Sequence, residues 1–276
     1  MDELQGAENG IIDLTPKNQE TNLSPIKNGI ADLTEAAQVA DLKKRAQKEL
    51  FDVKPQDTAK QDASAQAQEE LKHDLEKQAL TDSLTAIPNR RGLDLAIDQM
   101  LNKTSRSENP KGAFIIIDLD DFKARNDALG HSGGDKILRD FALKVGALIR
   151  PGDVVGRLGG DEFVIWAEDA DLENSVVVAD RVQQGIAEFF KDGPNNQTFS
   201  IGIKALSEGI SSSDLQNPEF RKTLREKLYE QADDAHYRGA KNVGKNKIGV
   251  ALDSGEVKTA RVGEDGKVNF TDPVHT

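Results

Sequence analysis

Downstream of about residue 80 the apolar positions fall into two alternating rhythms. Gly112 to Asp118 (GAFIIID) is an unbroken apolar run ending in carboxylates, the pattern of a buried strand. Asn89 to Leu101 reads as a helix. Gly134 to Ile149 places Ile137, Leu138, Phe141, Ala142, Val145, Leu148 and Ile149 at helical spacing. Val154 to Leu158 and Glu162 to Ala167 are two strands around Gly159-Gly160, which signals a hairpin. A helix from Leu172 to Phe190 and a strand from Thr198 to Ala205 follow. A helix from Glu219 to Arg238, burying Phe220, Leu224 and Leu228, and a strand near Lys247 to Ala251 complete the series. Helices alternating with a mostly antiparallel sheet predict an α+β sandwich. The tail, Val257 to Phe270 around Glu264-Asp265-Gly266, adds a small hairpin or stays loose.

Upstream the texture is different. The first 80 residues hold one aromatic, Phe51, among 16 acidic and 10 basic side chains and many Gln and Ala. So little bulky apolar material cannot offset the entropy of ordering a core, and residues 1–33 are expected to be disordered. Within them Asn9-Gly10-Ile11-Ile12-Asp13-Leu14-Thr15 recurs as Asn28-Gly29-Ile30-Ala31-Asp32-Leu33-Thr34. Two copies are too few for a solenoid, so a duplicated linker is preferred over a pair of docking motifs. Thr34 can cap a helix running to about Leu50. After a break at Pro55, a helix from Lys60 to Leu80 sets Ala67, Leu71, Leu75 and Ala79 on one face. Either a short coiled-coil stalk or a charged helix packed on its own domain would show that stripe. The expected organisation is therefore a disordered segment at 1–33, a helical linker or stalk at 34–78, a packed domain at 79–251 and a tail or hairpin at 252–276.

Composition narrows the chemistry. With no cysteine and four scattered histidines, neither a disulfide framework nor a thiolate or histidine zinc site is expected. No stretch approaches the ~18 apolar residues that span a membrane, and the acidic N-terminus lacks the basic and apolar regions of a secretory signal, which predicts a cytoplasmic protein. A net charge of −12 argues against a general nucleic-acid binder. It still allows a nucleotide enzyme, since bound Mg²⁺ screens carboxylates from phosphates.

Two acidic clusters carry the candidate chemistry. In Arg157-Leu158-Gly159-Gly160-Asp161-Glu162-Phe163, two glycines between strands permit a tight turn and the close approach of a phosphate. Adjacent acids there point to opposite faces. An ordinary type I′ hairpin with surface acids would look the same in isolation. The second cluster, Asp118-Leu119-Asp120-Asp121-Phe122-Lys123, ends the buried strand. Carboxylates from two neighbouring strand ends form a hard-oxygen site suited to Mg²⁺, which in nucleotidyl transfer activates an attacking hydroxyl and stabilises the leaving oxygen.

At these residues the chain resembles the GGDEF-domain diguanylate cyclases. Asp82-Ser83-Leu84-Thr85 with Asn89-Arg90-Arg91 is similar to the family's opening motif. Asp118 to Lys123 with Asn126-Asp127 is similar to its metal and substrate strand, and Gly130-His131-Ser132-Gly133-Gly134-Asp135 to the following turn. Gly159 to Phe163 is the signature, and Ser200-Ile201-Gly202 matches the late strand. The resemblance covers roughly residues 78–250. It implies a ferredoxin-like or palm-like, mostly antiparallel sheet flanked by helices, condensing two GTP into cyclic di-GMP with release of two pyrophosphates. By the same resemblance Asp118 and Asp161 hold Mg²⁺ or Mn²⁺, with the Leu119 carbonyl as a further ligand. Glu162 assists as a ligand or by deprotonating the 3′-hydroxyl. Asn126 and Asp135 read guanine, Lys123 meets the phosphates and Phe122 lines the pocket. Two domains face each other, so activity requires a homodimer, at least transiently.

Arg150-Pro151-Gly152-Asp153 matches the family's product-binding RxxD, and Arg181 stands where related domains offer a second arginine, which implies inhibition by cyclic di-GMP. Two departures stand out. Arg125 replaces an apolar residue before Asn126-Asp127. After Tyr237 the run Arg238-Gly239-Ala240-Lys241-Asn242-Val243-Gly244-Lys245-Asn246 is one residue longer than the common pattern. Lys241 and Lys245, four apart, are expected on one helix face toward the phosphates. His73 and His236 read as surface or satisfied helix residues, His131 as a turn residue and Trp166 as core. One rival reading is a silent module that senses GTP or cyclic di-GMP through Arg150 and Asp153; the intact acidic positions argue against it. Another is an enzyme making a mixed purine product, against which Asp135 favours guanine. Residues 1–80 are expected to localise the enzyme, bind a protein partner or control dimerisation.

Overall fold

A computed structural model describes residues 44, 58–191 and 197–273. The duplicated motif and the expected helix from Thr34 to Leu50, Lys44 excepted, lie outside the described residues. The unit that carries the sheet is Asp62–Thr276. Its elements in chain order are α1 (Thr58–Leu80), α2 (Arg90–Thr104), β1 (Gly112–Leu119), α3 (Phe122–Leu148), β2 (Val154–Gly159) and β3 (Glu162–Glu168). These are followed by α4 (Leu172–Phe190), β4 (Phe199–Ala205), α5 (Ser212–Gln216), α6 (Pro218–Gly239), β5 (Ile248–Ala251), β6 (Val257–Val262) and β7 (Val268–Thr271).

The seven strands form one sheet in the order β2-β3-β1-β4-β5-β6-β7. Only β4 and β5 run parallel; the other pairs are antiparallel. The sheet is thus mixed but mostly antiparallel, with helices on both faces, as expected. It does not stop at Ala251: β6 and β7 form a hairpin that extends it by two strands. The apolar run of β1 is central and buried on both faces. Ile115, Ile117 and Leu119 face a cluster with Ile137, Phe141 and Val182 from α3 and α4. Phe114 and Ile116 face one with Leu93, Ile97, Leu228 and Ala232 from α2 and α6.

Two close approaches decide how α6 sits. A Cβ on Gly202 of β4 would lie 2.1 Å from the Ala232 carbonyl oxygen and 2.5 Å from the His236 backbone nitrogen. The helix backbone therefore rests directly on the strand, and α6 carries small residues, Ala232, Ala235 and Gly239, along that line. Gly202→Ala is expected to cost about 3 kcal/mol and lower the Tm by roughly 6–12 °C in calorimetry, because neither neighbour is a side chain that can move aside. The second approach is electrostatic. Arg221, which the hydrophobic pattern did not single out, is buried and donates to both Asp98 oxygens at 2.8 and 3.1 Å and to the Leu215 carbonyl at 2.9 Å, tying α6 to α2 and α5.

The stripe on α1 is bare over most of its length. Leu71 is 46% exposed and Ala67 is exposed; partial cover begins at Leu75. The helix ends in a lock. The Asn89 side chain caps α2 through Gly92 N–H at 3.0 Å and donates to the Ala79 and Thr81 carbonyls at 3.0 and 3.2 Å. No described helix is long and apolar enough to cross a membrane.

Candidate active site

The site forms where β1 and the β2–β3 turn end together. Asp118 pairs directly with Glu162 across β1 and β3, and with Ser200 across β1 and β4. Directly paired residues place their Cβ atoms about 5 Å apart on one face. Here that face is the one shared with Phe114 and Ile116, toward α6. The turn is not a plain two-residue hairpin. A register shift separates Arg157 from Gly159, and Gly159 and Gly160 take φ of 153° and 52°, conformations that glycine adopts without a Cβ penalty. Asp161 therefore sits in the turn rather than on the strand, with its carbonyl accepting from Leu119 N–H at 3.4 Å. Both acids feel the charge of Asp118. Burial, then the Asp118 charge, raises the pKa of Asp161. Burial, then Asp118, Asp161 and Asp233, raises that of Glu162.

Lys241 completes the cluster. Its ammonium is hydrogen-bonded to Asp118 Oδ1 and lies 3.2 Å from Asp120 Oδ1. Burial works against this charge, but the bonds to Asp118 and Asp120 outweigh it and raise the Lys241 pKa. Lys245 Nζ bonds Asp121 Oδ1 at 2.6 Å. The two lysines do not share a helix face, because α6 ends at Gly239 and Gly244, Lys245 and Asn246 all take positive φ. The longer run thus turns back over the acids instead of extending the helix. His236 is also reassigned: it is buried against Gly202, its Nε2 has no hydrogen-bond partner, and burial lowers its pKa.

The other substrate candidates gather on α3. This helix starts at Phe122, after Asp121 in the left-handed region, and is broken at Gly130 (φ 72°, ψ 166°). The break folds Asn126 onto Gly134, where a Cβ would lie 1.7 Å from Asn126 Oδ1 and 3.3 Å from Phe122 Cζ. Phe122 and Asn126 thereby meet at Gly134, the residue before Asp135. Asp135 is half-exposed, with Arg139 at 3.9 Å, and Lys123 is exposed.

Sequence reasoning missed the role of Arg157. Its Nε and Nη2 donate to the Gly160 carbonyl at 3.0 and 2.7 Å, and its Nη1 donates to Asp82 at 3.0 Å. Burial opposes the Asp82 charge, but Thr85 and this arginine hold its pKa below the ordinary value. The glycine turn is thus clamped to the residues that follow α1.

The RxxD residues lie at the β2 approach. Asp153 accepts from the backbone N–H of Arg150 at 2.9 Å and of Glu168 at 3.0 Å, shaping the Pro151-Gly152 turn and leaving the Arg150 side chain exposed. Arg181 on α4 has Nε and Nη2 buried without a hydrogen-bond partner.

Among the described residues no group of three or more His, Asp and Glu side chains is gathered to hold a metal by itself. Asp118 and Asp161 remain two hard-oxygen donors beside Glu162, and the repulsion that raises their neighbours' pKa values is what a divalent cation would relieve. The donor set fits Mg²⁺ or Mn²⁺ bound jointly with substrate phosphates.

Comparison with known proteins agrees with this geometry. The family profile described as "Diguanylate cyclase, GGDEF domain" matches residues 79–247. Diguanylate cyclase DgcP of Pseudomonas aeruginosa is 34% identical over 181 residues, 64% of this chain and 25% of DgcP. Response regulator PleD of Caulobacter vibrioides is 34% identical over 184 residues, 64% of this chain and 37% of PleD. This chain therefore corresponds to well under half of either relative. Among solved structures, a microbial GGDEF domain studied with cyclic di-GMP matches at a TM-score of 0.51 and 26% identity, over 64% of this chain and 99% of that one. With its signature turn, its paired acids and a profile match over most of its length, the chain belongs to the GGDEF-domain family of diguanylate cyclases.

Proposed function

We propose that this chain condenses two GTP molecules into cyclic di-GMP. The observation that carries the reading is the register that sets Asp118 opposite Glu162, with Asp161 in the adjoining turn and Lys241 beside them. A divalent cation held by Asp118 and Asp161, with the Leu119 carbonyl as a further ligand, would supply charge neutralisation at the α-phosphate and a more acidic 3′-hydroxyl. Lys241 and Lys245, now held on carboxylates, exchange them for the β- and γ-phosphates, while Lys123 reaches in from α3. Asn126 and Asp135 hold the guanine edge over Phe122. A carboxylate accepts from both N1–H and the exocyclic amine, a pair that adenine does not offer.

Glu162 accepts the 3′-hydroxyl proton on a carboxylate oxygen; burial, then the charges of Asp118, Asp161 and Asp233, raises its proton affinity. The 3′-oxygen forms a bond to the α-phosphorus of the facing GTP, the bond from that phosphorus to the bridging oxygen breaks, and pyrophosphate leaves with the electron pair. A second, symmetric transfer closes the ring. Each domain contributes one GTP, so two copies must face each other. Product inhibition at Arg150, Asp153 and Arg181 is supported by Nε and Nη2 of Arg181, which are buried and without a partner and suit a phosphate or guanine edge.

Purified protein with GTP and Mg²⁺ should release two pyrophosphates per cyclic di-GMP, identified by mass. The initial rate should rise with more than the first power of protein concentration while dimer is scarce. ATP should compete poorly. Hydrolysis to GDP, or nucleotide binding without product, would refute the proposal.

A further inference from the structure

We infer that Asp120, a residue with no part in the steps above, is a positioning residue for the triphosphate: its buried carboxylate fixes the segment that carries Lys241 and Lys245. The inference rests on the cyclase reading only in taking those two lysines as phosphate ligands.

Asp120 is 3% exposed. A carboxylate so enclosed must have its oxygens filled, or its burial is prohibitive. Four donors fill them. Oδ1 accepts from Ser200 Oγ at 2.8 Å and has the Lys241 ammonium at 3.2 Å. Oδ2 accepts from Thr198 Oγ at 2.9 Å and from the Asn246 backbone N–H at 3.1 Å. The backbone of Asp120 is equally engaged, donating to the Thr198 carbonyl at 2.8 Å and accepting from Gln197 Nε2 at 2.7 Å. One side chain thus joins the end of β1, the start of β4 and the segment after α6.

That last segment needs an anchor. Gly244, Lys245 and Asn246 take φ of 109°, 60° and 48° in succession. Two consecutive non-glycine residues in the left-handed region are costly and persist only where their surroundings over-determine them. The Asn246 N–H held by Asp120 is one such restraint, and the Lys245 N–H on the Ala240 carbonyl at 3.1 Å is another. The turned-back segment delivers Lys245 to Asp121 and Lys241 to Asp118. Asp120 also keeps a counter-charge next to Lys241 when a cation takes Asp118. An amide in its place has one acceptor oxygen, so a donor among Thr198, Asn246 and Lys241 loses its partner.

The test compares GTP with GMP, which lacks the phosphates the two lysines would meet. Dissociation constants are measured by calorimetry with Mg²⁺ on the full chain for wild type, Asp120→Asn and Thr198→Val, the last removing one donor and leaving the carboxylate. Asp120→Asn should weaken GTP about 10-fold or more, leave GMP within about 3-fold, and raise KM more than it lowers kcat. Thr198→Val should shift GTP in the same direction by less. Equal weakening of both nucleotides would overturn the inference, since a general loss of structure does that. A changed requirement for Mg²⁺ against Mn²⁺ would overturn it in favour of direct metal ligation. Wild type that binds GTP no better than GMP would refute phosphate recognition by the lysines, and this role with it. Failure to form cyclic di-GMP with the GTP preference intact would refute the cyclase reading alone.

Discussion

Asp161→Asn should lower cyclic di-GMP synthesis by about 10³-fold or more and, in the same preparation, make the metal-free protein slightly more stable. The two effects share a cause. Asp161 sits in the glycine turn, where burial and the Asp118 charge raise its pKa above that of an unfolded aspartate. The folded chain therefore holds this proton more tightly than the unfolded chain does. Ionisation costs folding stability as pH rises past the unfolded value, and the full penalty is present above the raised folded one. At neutral pH the amide removes that penalty, discounted because the group is only half-buried; a Tm higher by about 1–2 °C is expected. Wild type should recover the difference when Mg²⁺ is added, and the variant should not. Scanning calorimetry with and without Mg²⁺, beside a product assay, checks both. An inactive variant that is also less stable without metal would mean that the carboxylate has a purely structural role.

Lys241→Met should lower kcat/KM for GTP by about 10²-fold while tightening divalent binding in the absence of nucleotide. The Lys241 ammonium is bonded to Asp118 and adjacent to Asp120, with side chains that are mostly buried. A lysine and a divalent cation therefore compete for Asp118. Removing the lysine takes the counter-charge from partly buried Asp118 and one of four donors from buried Asp120, which should destabilise the metal-free protein by a few kcal/mol, a Tm loss of several degrees that Mn²⁺ should largely restore. Mn²⁺ titration followed by electron paramagnetic resonance reads the competition directly; weaker Mn²⁺ binding by the methionine variant would contradict it. On the proposed reading nucleotide and metal binding in the wild type should be mutually favourable, because phosphates that draw Lys241 away would free Asp118 for the cation.

Much of the scaffold was legible because burial imposes a period. The run Phe114–Ile117 and the seven-residue stripe of α3 leave no alternative to a central strand and a packed helix, and α4 runs over the span its periodicity predicts, Leu172–Phe190. What the pattern hid follows from backbone conformations that side chains do not advertise. Gly130–Asp135 looked like a turn because of the glycines at 130, 133 and 134, yet only Gly130 departs from helical geometry, and the helix continues on either side. Lys241 and Lys245 kept a helical spacing on a segment that leaves the helix at Gly239. His236 could have been found: Ala232, Ala235 and Gly239 are small at helical steps, the mark of a close approach, and His236 lies on that strip. Asp120 could not. Within Asp118-Leu119-Asp120-Asp121 nothing separates an acid with four donors around it from one facing the site, because the donors come from residues 198 to 246.

Crystals grown with Mn²⁺ and 3′-deoxy-GTP, which cannot supply the attacking hydroxyl, test the central claim most directly through anomalous scattering. The account predicts a manganese peak bridging Asp118 and Asp161, with the Lys241 ammonium moved onto the phosphates. Ordered nucleotide with no peak between those carboxylates, or with Lys241 still bonded to Asp118, would contradict it.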